Sequence, residues 1–320
     1  MDKKICHNIS LIKFKDKLWV SLEKISNITK HLKIRVLSSS QINSSLWCKM
    51  SNITIVTAFY DIGRGDWTPD KGLPHYLQRT TDTYIERFSH MAQLDNEMII
   101  FSTPDIIEQL KKYRVPKSDK TKFVSLDIFK EYALLRKTIS EIQQLKEYQE
   151  MISPYQRANP EYWNADYVMV NFLKSSFVNL AIRHNLVSND LIAWLDFGYC
   201  RTADKVPASK SWSYDFDKSK IHLFDYMDFD GREINEVIAN NIVYILGAKI
   251  VGGKSVWPEF QNVMTKQLMT LLEHNLVDDD QTLLLMASQE RPDLIQLHRI
   301  PDHQLGLDPF VIFKDFNNAE

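Results

Sequence analysis

From Asn52 onward, short β-branched runs alternate with longer stretches whose apolar residues recur every three or four positions, the pattern of an α/β domain with a largely parallel sheet. ITIVTAFY (53–60), EMIIFST (97–103), KFVSLD (122–127), DLIAWLD (190–196) and KIHLFDYMDF (220–229) predict strands. Between them the spacing predicts helices within 73–94, after Thr103-Pro104-Asp105, over 128–151, over 161–186 and over 255–275. In the 161–186 helix, Trp163, Tyr167, Val170, Leu173, Phe177 and Leu180 share one face. Leu18, Leu22, Ile25, Leu32 and Val36 also recur at roughly helical spacing, with lysines between them. They suggest either a basic amphipathic helix on anionic lipid or a solvated cap on the main domain. No internal repeat and no low-complexity tract interrupts the chain.

Charge divides the chain. Residues 1–50 hold ten Lys/Arg against three acids, so the remainder of a chain with net charge −2 is acidic. The expected organisation is therefore a basic N-terminal extension, 1–50, and one large domain, 51–320. An acidic domain without a basic, aromatic-studded stripe argues against nucleic-acid binding. No uncharged apolar run is long enough to cross a bilayer, MDKKICHN has no secretory apolar core, and three scattered cysteines give no disulfide framework. The expectation is a soluble protein of a reducing cytoplasm.

Glycine is scarce, nine residues in 320, where ordinary usage gives about twenty. Gly63 and Gly65 follow the first strand, Gly198 follows Asp196, and Gly247, Gly252 and Gly253 precede the 255–275 helix. These placements suggest ligand-binding loops gathered at one sheet edge. Asp196-Phe197-Gly198 matches the magnesium motif of protein kinases, and Arg183-His184-Asn185 resembles a scrambled catalytic loop. The glycine-rich loop, strand lysine and catalytic Asp of kinases are missing, which excludes that reading. Position is the better guide: a carboxylate at the C-terminal end of a buried strand can meet a ligand or a hard divalent ion.

TIVTAFYDIGRGDW (54–67), NADYVMVNFLKSSFVNLAI with IAWLDFGYCR (164–201), and GAKIVGGKSVWPEF leading to NLVDDDQTLLLMA (247–287) occur in that order. On these stretches, about residues 52–300, the chain resembles the bacterial HtrL/YibB family, WlaTC/HtrL-type proteins read as glycosyltransferases. The resemblance implies a GT-A-like nucleotide-diphospho-sugar transferase fold, a mixed, mostly parallel sheet flanked by helices. It also implies a nucleotide-sugar donor and a glycan or lipid-linked acceptor, which would give the basic segment a reason to touch the inner membrane. Thr57, Phe59, Tyr60 and Asp61 would then lie along base and ribose, and Arg64 would approach the diphosphate; the plain alternative is that Asp61 and two glycines build a turn. Asp196 would hold Mn²⁺ or Mg²⁺ bridging the diphosphate. Gly198 takes the place of the second acid of the D-x-D motif of GT-A glycosyltransferases, so a metal there would either take a ligand from elsewhere, with His298 the candidate, or be bound weakly or not at all. Lys174 would neutralise phosphate, and Gly252-Gly253 would wall the acceptor pocket. Of the three acids before the last helix, one caps it, and Asp280, then Asp279, is the candidate base for the acceptor hydroxyl. The rival from another class is a catalytically silent nucleotide- or glycan-binding module.

Overall fold

The computed structural model describes residues 53–300 together with the backbone of a three-residue strand, Arg35–Leu37. Eight strands form one sheet: β1 (Arg35–Leu37), β2 (Ile53–Ala58), β3 (Met98–Ser102), β4 (Thr121–Ser125), β5 (Leu191–Leu195), β6 (Ile221–Asp225), β7 (Lys249–Gly253) and β8 (Ile295–Arg299). Their spatial order is β1-β4-β3-β2-β5-β7-β6-β8. Strands β4, β3, β2 and β5 run parallel, and β7 is inserted antiparallel between β5 and β6. The expected mixed, mostly parallel sheet is present. Val36, counted into the amphipathic helix by spacing, instead lies in β1, antiparallel to β4; the rest of that stretch lies outside the described residues.

Both sheet faces are covered, which is why the central strands are continuous apolar runs rather than alternating ones. Val56, Ala58 and Trp194 point into one core and Ile53, Ile55, Ala193 and Leu195 into the other. Ten helices are described: α1 (Thr81–Met91), α2 (Pro104–Arg114), α3 (Ile128–Glu131), α4 (Ala133–Gln143), α5 (Lys146–Met151), α6 (Ala165–Phe172), α7 (Lys174–Arg183), α8 (Ile234–Asn240), α9 (Trp257–Glu273) and α10 (Asp280–Glu290). The single helix expected over 161–186 is thus a 3₁₀ turn at Pro160–Tyr162 followed by α6 and α7, with Leu173 at the break. The break lets α7 dive between the sheet and α9, where Lys174 through Ala181 are all buried. Small side chains permit the close fit: Gln261 of α9 donates to Ser176, and Asn179 donates to the Trp257 carbonyl at 3.0 Å.

The chain visits β2, β3 and β4 in one direction and then returns to place β5 on the other side of β2. That reversal leaves a crevice at the C-terminal ends of β2 and β5, since the loops there depart to opposite sides. The glycine pair, read from sequence as part of a loop at this edge, is elsewhere. Gly252 and Gly253 are strand residues opposite Ile192 and Leu191, about 15 Å down the sheet from Asp196 at roughly 3.3 Å per residue. The antiparallel direction of β7 puts them at the opposite edge, so they wall no pocket beside Asp196.

They are glycines because another segment crosses them. A Cβ on Gly253 would stand 1.8 Å from the Lys218 carbonyl oxygen, whereas one on Gly65 would meet nothing closer than 3.8 Å. Gly253→Ala is therefore expected to cost more than about 3 kcal/mol, through forced backbone movement, and Gly65→Ala less than about 1 kcal/mol. Urea denaturation of both variants beside the parent checks the contrast; equal midpoints would show that the 218–220 crossing yields freely.

Candidate functional site

The segment leaving β2 turns tightly. Asp61 Oδ1 accepts from the Gly63 N–H at 2.8 Å and Oδ2 from the Thr81 hydroxyl at 2.7 Å, while Gly63 takes φ 77°. Both carboxylate oxygens thus serve the turn, as the plain alternative required. The turn delivers Arg64. Its Nη1 donates to the Tyr84 hydroxyl at 2.7 Å, its Nε and Nη2 donate to the Leu77 carbonyl, and its guanidinium lies 5.0 Å from the Trp67 ring centre.

At the end of β5, Asp196 faces the side of the sheet that Trp194 faces, two residues before it. Its Oδ1 accepts from Trp194 Nε1 at 2.8 Å and lies 3.2 Å from Lys174 Nζ. Phe197 turns the other way and stacks on Phe88 and Phe59. Gly198 is glycine because Tyr84 lies against it: a Cβ there would approach the ring to 2.8 Å. A second acid has no room at that position.

Between these segments opens a cleft of about 270 Å³. Phe59, Tyr60, Asp61, Arg64, Lys174, Asp196 and Gly198 all line it, so the topology gathers most of the expected residues. Thr57 does not; it is fully buried within β2. Among the lining residues not singled out from sequence are Arg79, Arg87, Arg201 and Tyr84. The signal was present in QRTTDTYIER, which puts Tyr84 and Arg87 three apart on α1, and in the end of DFGYCR. Five cationic side chains therefore face two carboxylates, Asp61 and Asp196. Arg79, Arg87 and Arg201 form no ion pair with a carboxylate among the described residues. Burial and the neighbouring charges of Arg79, Arg201 and Arg64 lower the Arg87 guanidinium below its ordinary value. Like charges crowd together in this way where an anion is expected to bind.

Lys174 sits at the floor, 4% exposed. It donates to the Gly247 carbonyl at 3.0 Å and Asp280 Oδ2 at 2.8 Å, beside Asp196 Oδ1. Two hydrogen bonds and the ion pair with Asp196 thus tie this ammonium to protein groups. Burial alone would lower its pKa, but the Asp196 and Asp280 carboxylates outweigh this and raise it. Asp280, itself 3% exposed, reaches the cleft through Lys174 and does not line it. Asp279 is the helix cap, accepting from the Gln281 N–H at 2.9 Å. Neither carboxylate opens onto the cleft as a base for an acceptor would.

His298 also moves away from its expected partner. It lies on β8, three strands from β5, about 14 Å at ordinary strand spacing. It packs against Phe224 on the opposite sheet face, with its Nε2 2.8 Å from His222 Nδ1. Burial and the His222 and Lys249 charges push it down to about 4. His298 and Asp196 cannot share an ion. Among the described residues no three His, Cys, Asp or Glu side chains form a metal-holding group. With an ammonium and an indole N–H already on Oδ1, the residues at Asp196 do not fit a resident Mn²⁺ or Mg²⁺.

The sequence matches the model of the family HtrL_YibB, described as "Bacterial protein of unknown function", over residues 51–315. The chain belongs to this HtrL/YibB family. Protein HtrL of Escherichia coli (strain K12) is 40% identical to it over 252 residues, covering 78% of this chain and 88% of that protein. Among solved structures, mouse xyloside xylosyltransferase 1 in its apo form aligns with 76% of this chain and 84% of its own, at 11% identity and a TM-score of 0.34. No helix among the described residues of this HtrL/YibB protein is long and apolar enough to cross a membrane.

Behind the Arg64 wall lies a second group of acids. Burial, and then the Asp279 charge, push Glu161 up to about 8 from its ordinary 4.5, and burial with the Glu161 charge pushes Asp278 up to about 7. A carboxyl that holds its proton longer folded than unfolded stabilises the fold below its unfolded pKa and loses that contribution as pH rises through the folded value. Stability is thus expected to fall between pH 5 and pH 9, and Glu161→Gln to flatten that fall. Melting temperatures across the range test it; parallel profiles for the two proteins would show that Glu161 is already ionised.

Proposed function

We propose that this protein transfers a sugar from a nucleoside-diphosphate donor to an acceptor hydroxyl. The observation that carries the reading is the cluster of arginines that pair with no carboxylate among the described residues, around an aromatic cleft at the strand-order reversal. Aromatic walls suit a base or sugar face, and guanidinium forks suit phosphate oxygens. The bond from the anomeric carbon to the diphosphate oxygen would break, the hydroxyl oxygen would form the new bond, and its proton would leave to a base. Arg79, Arg87 and Arg201 would stabilise the charge gathering on the departing diphosphate, with Arg64 held beside them. Asp196, its side chain 37% exposed, is the carboxylate positioned to touch donor or acceptor. Asp280 acts through Lys174 as a positioning residue. A glycan or lipid-linked acceptor suits the open side of the cleft, and a peripheral contact of the basic first fifty residues with the inner membrane would bring such an acceptor near.

One observation favours the silent-module alternative: the acids first expected to do chemistry are tied up in the helix cap and on Lys174. The two readings separate on turnover. Incubation with a panel of nucleotide sugars is expected to release free nucleoside diphosphate slowly by hydrolysis from one of them. Asp196→Asn should abolish release while retaining binding of that nucleoside diphosphate, and Arg87→Gln should weaken binding about tenfold, the worth of one charge-assisted contact. Tight binding with no release from any sugar in the panel would favour the module, and no binding at all would defeat both.

A further inference from the structure

We propose that the cleft binds its diphosphate without a divalent cation, because the Lys174 ammonium occupies the electrostatic place of a metal on Asp196. The inference rests on the donor reading above and goes beyond it by naming how the phosphates are held. Three features converge. Lys174 Nζ is fixed between Asp196 Oδ1 at 3.2 Å and Asp280 Oδ2 at 2.8 Å, so a positive charge already lies against Asp196, shared with Asp280, before any ligand arrives. Gly247 makes that link sterically possible, since a Cβ there would stand 2.5 Å from Asp280 Oδ2. Tyr84 against Gly198 denies the site a second acid. A divalent ion on Asp196 would therefore meet an immobile like charge and too few oxygens.

The phosphates have other partners. Arg79, Arg87 and Arg201 line the same cleft, and Arg64 is braced by the Tyr84 hydroxyl and the Leu77 carbonyl. Guanidinium groups bind two phosphate oxygens each in a planar fork, and they stay charged throughout the working pH range. A diphosphate bound this way needs no ion to bridge it. Lys174 offsets part of the Asp196 charge that would otherwise repel it, and so acts as a positioning residue.

Calorimetric titration of the full chain with uridine, guanosine, cytidine and adenosine diphosphates decides the matter, run once after chelator treatment and once with Mn²⁺. The expected result is a dissociation constant for the preferred nucleotide that changes less than about threefold between the two conditions. Paramagnetic resonance of added Mn²⁺ should show no uptake by the protein alone. In Lys174→Met, shown folded by circular dichroism, binding in chelator should fall about tenfold and Mn²⁺ should restore it, because Asp196 is then bare. Binding that requires Mn²⁺ in the parent protein would overturn this inference and leave the donor reading standing. Failure of every diphosphate under both conditions would overturn the donor reading itself. The parent titration decides even where the variant does not fold.

Discussion

The contact between Lys174 and two carboxylates organises the rest of the molecule's chemistry. Lys174 opens α7, Asp196 directly follows β5 and Asp280 opens α10, so one ammonium ties together three elements that are distant in sequence. Desolvating three charges is costly, and such a triad stabilises a fold weakly compared with an apolar filling. Removing one member is another matter, because it strands an unpaired charge in a buried place. The break at Leu173 between α6 and α7 sets Lys174 at the start of a helix that packs on β2 and β5.

Around that floor, the sheet topology decides what the cleft can hold. Because β2 has β3 on one side and β5 on the other, the loops after β2 and β5 diverge and leave room between them. Helix α1 then brings Tyr84 and Arg87 across the opening. Tyr84 has several duties at once: it braces Arg64, packs against the Gly198 backbone and lies tilted against the Phe59 ring at 5.0 Å. A single aromatic side chain thereby couples the two strand-end loops, and a smaller residue there would loosen both.

Much of this was legible along the chain. Strands β2 to β6 and helix α9 stand where periodicity put them, because burial on one or both faces writes itself into local spacing. The loops after β2 and β5 were found from scarce glycines and a terminal Asp, and both line the same cleft. Less legible was β7, where a lysine and two glycines flank only two β-branched residues. Lys249 is 1% exposed with its ammonium 4.0 Å from the Phe224 ring centre, an environment no local pattern announces. Arg79, Arg87 and Arg201 were passed over because each, taken alone, reads as a solvated surface cation.

By itself the sequence determined the class of each long element, the glycine-marked turns and the residue types available for chemistry, since these depend on neighbours within a few positions. Tertiary structure alone decided which edge each strand end reaches and which charges meet. The antiparallel course of β7 carried Gly252 and Gly253 away from Asp196, and alternation across β8 turned His298 to the far face. Burial gave Asp280 to Lys174 rather than to the cleft. Pairing direction and desolvation arise between segments far apart in the chain, so no window of sequence contains them.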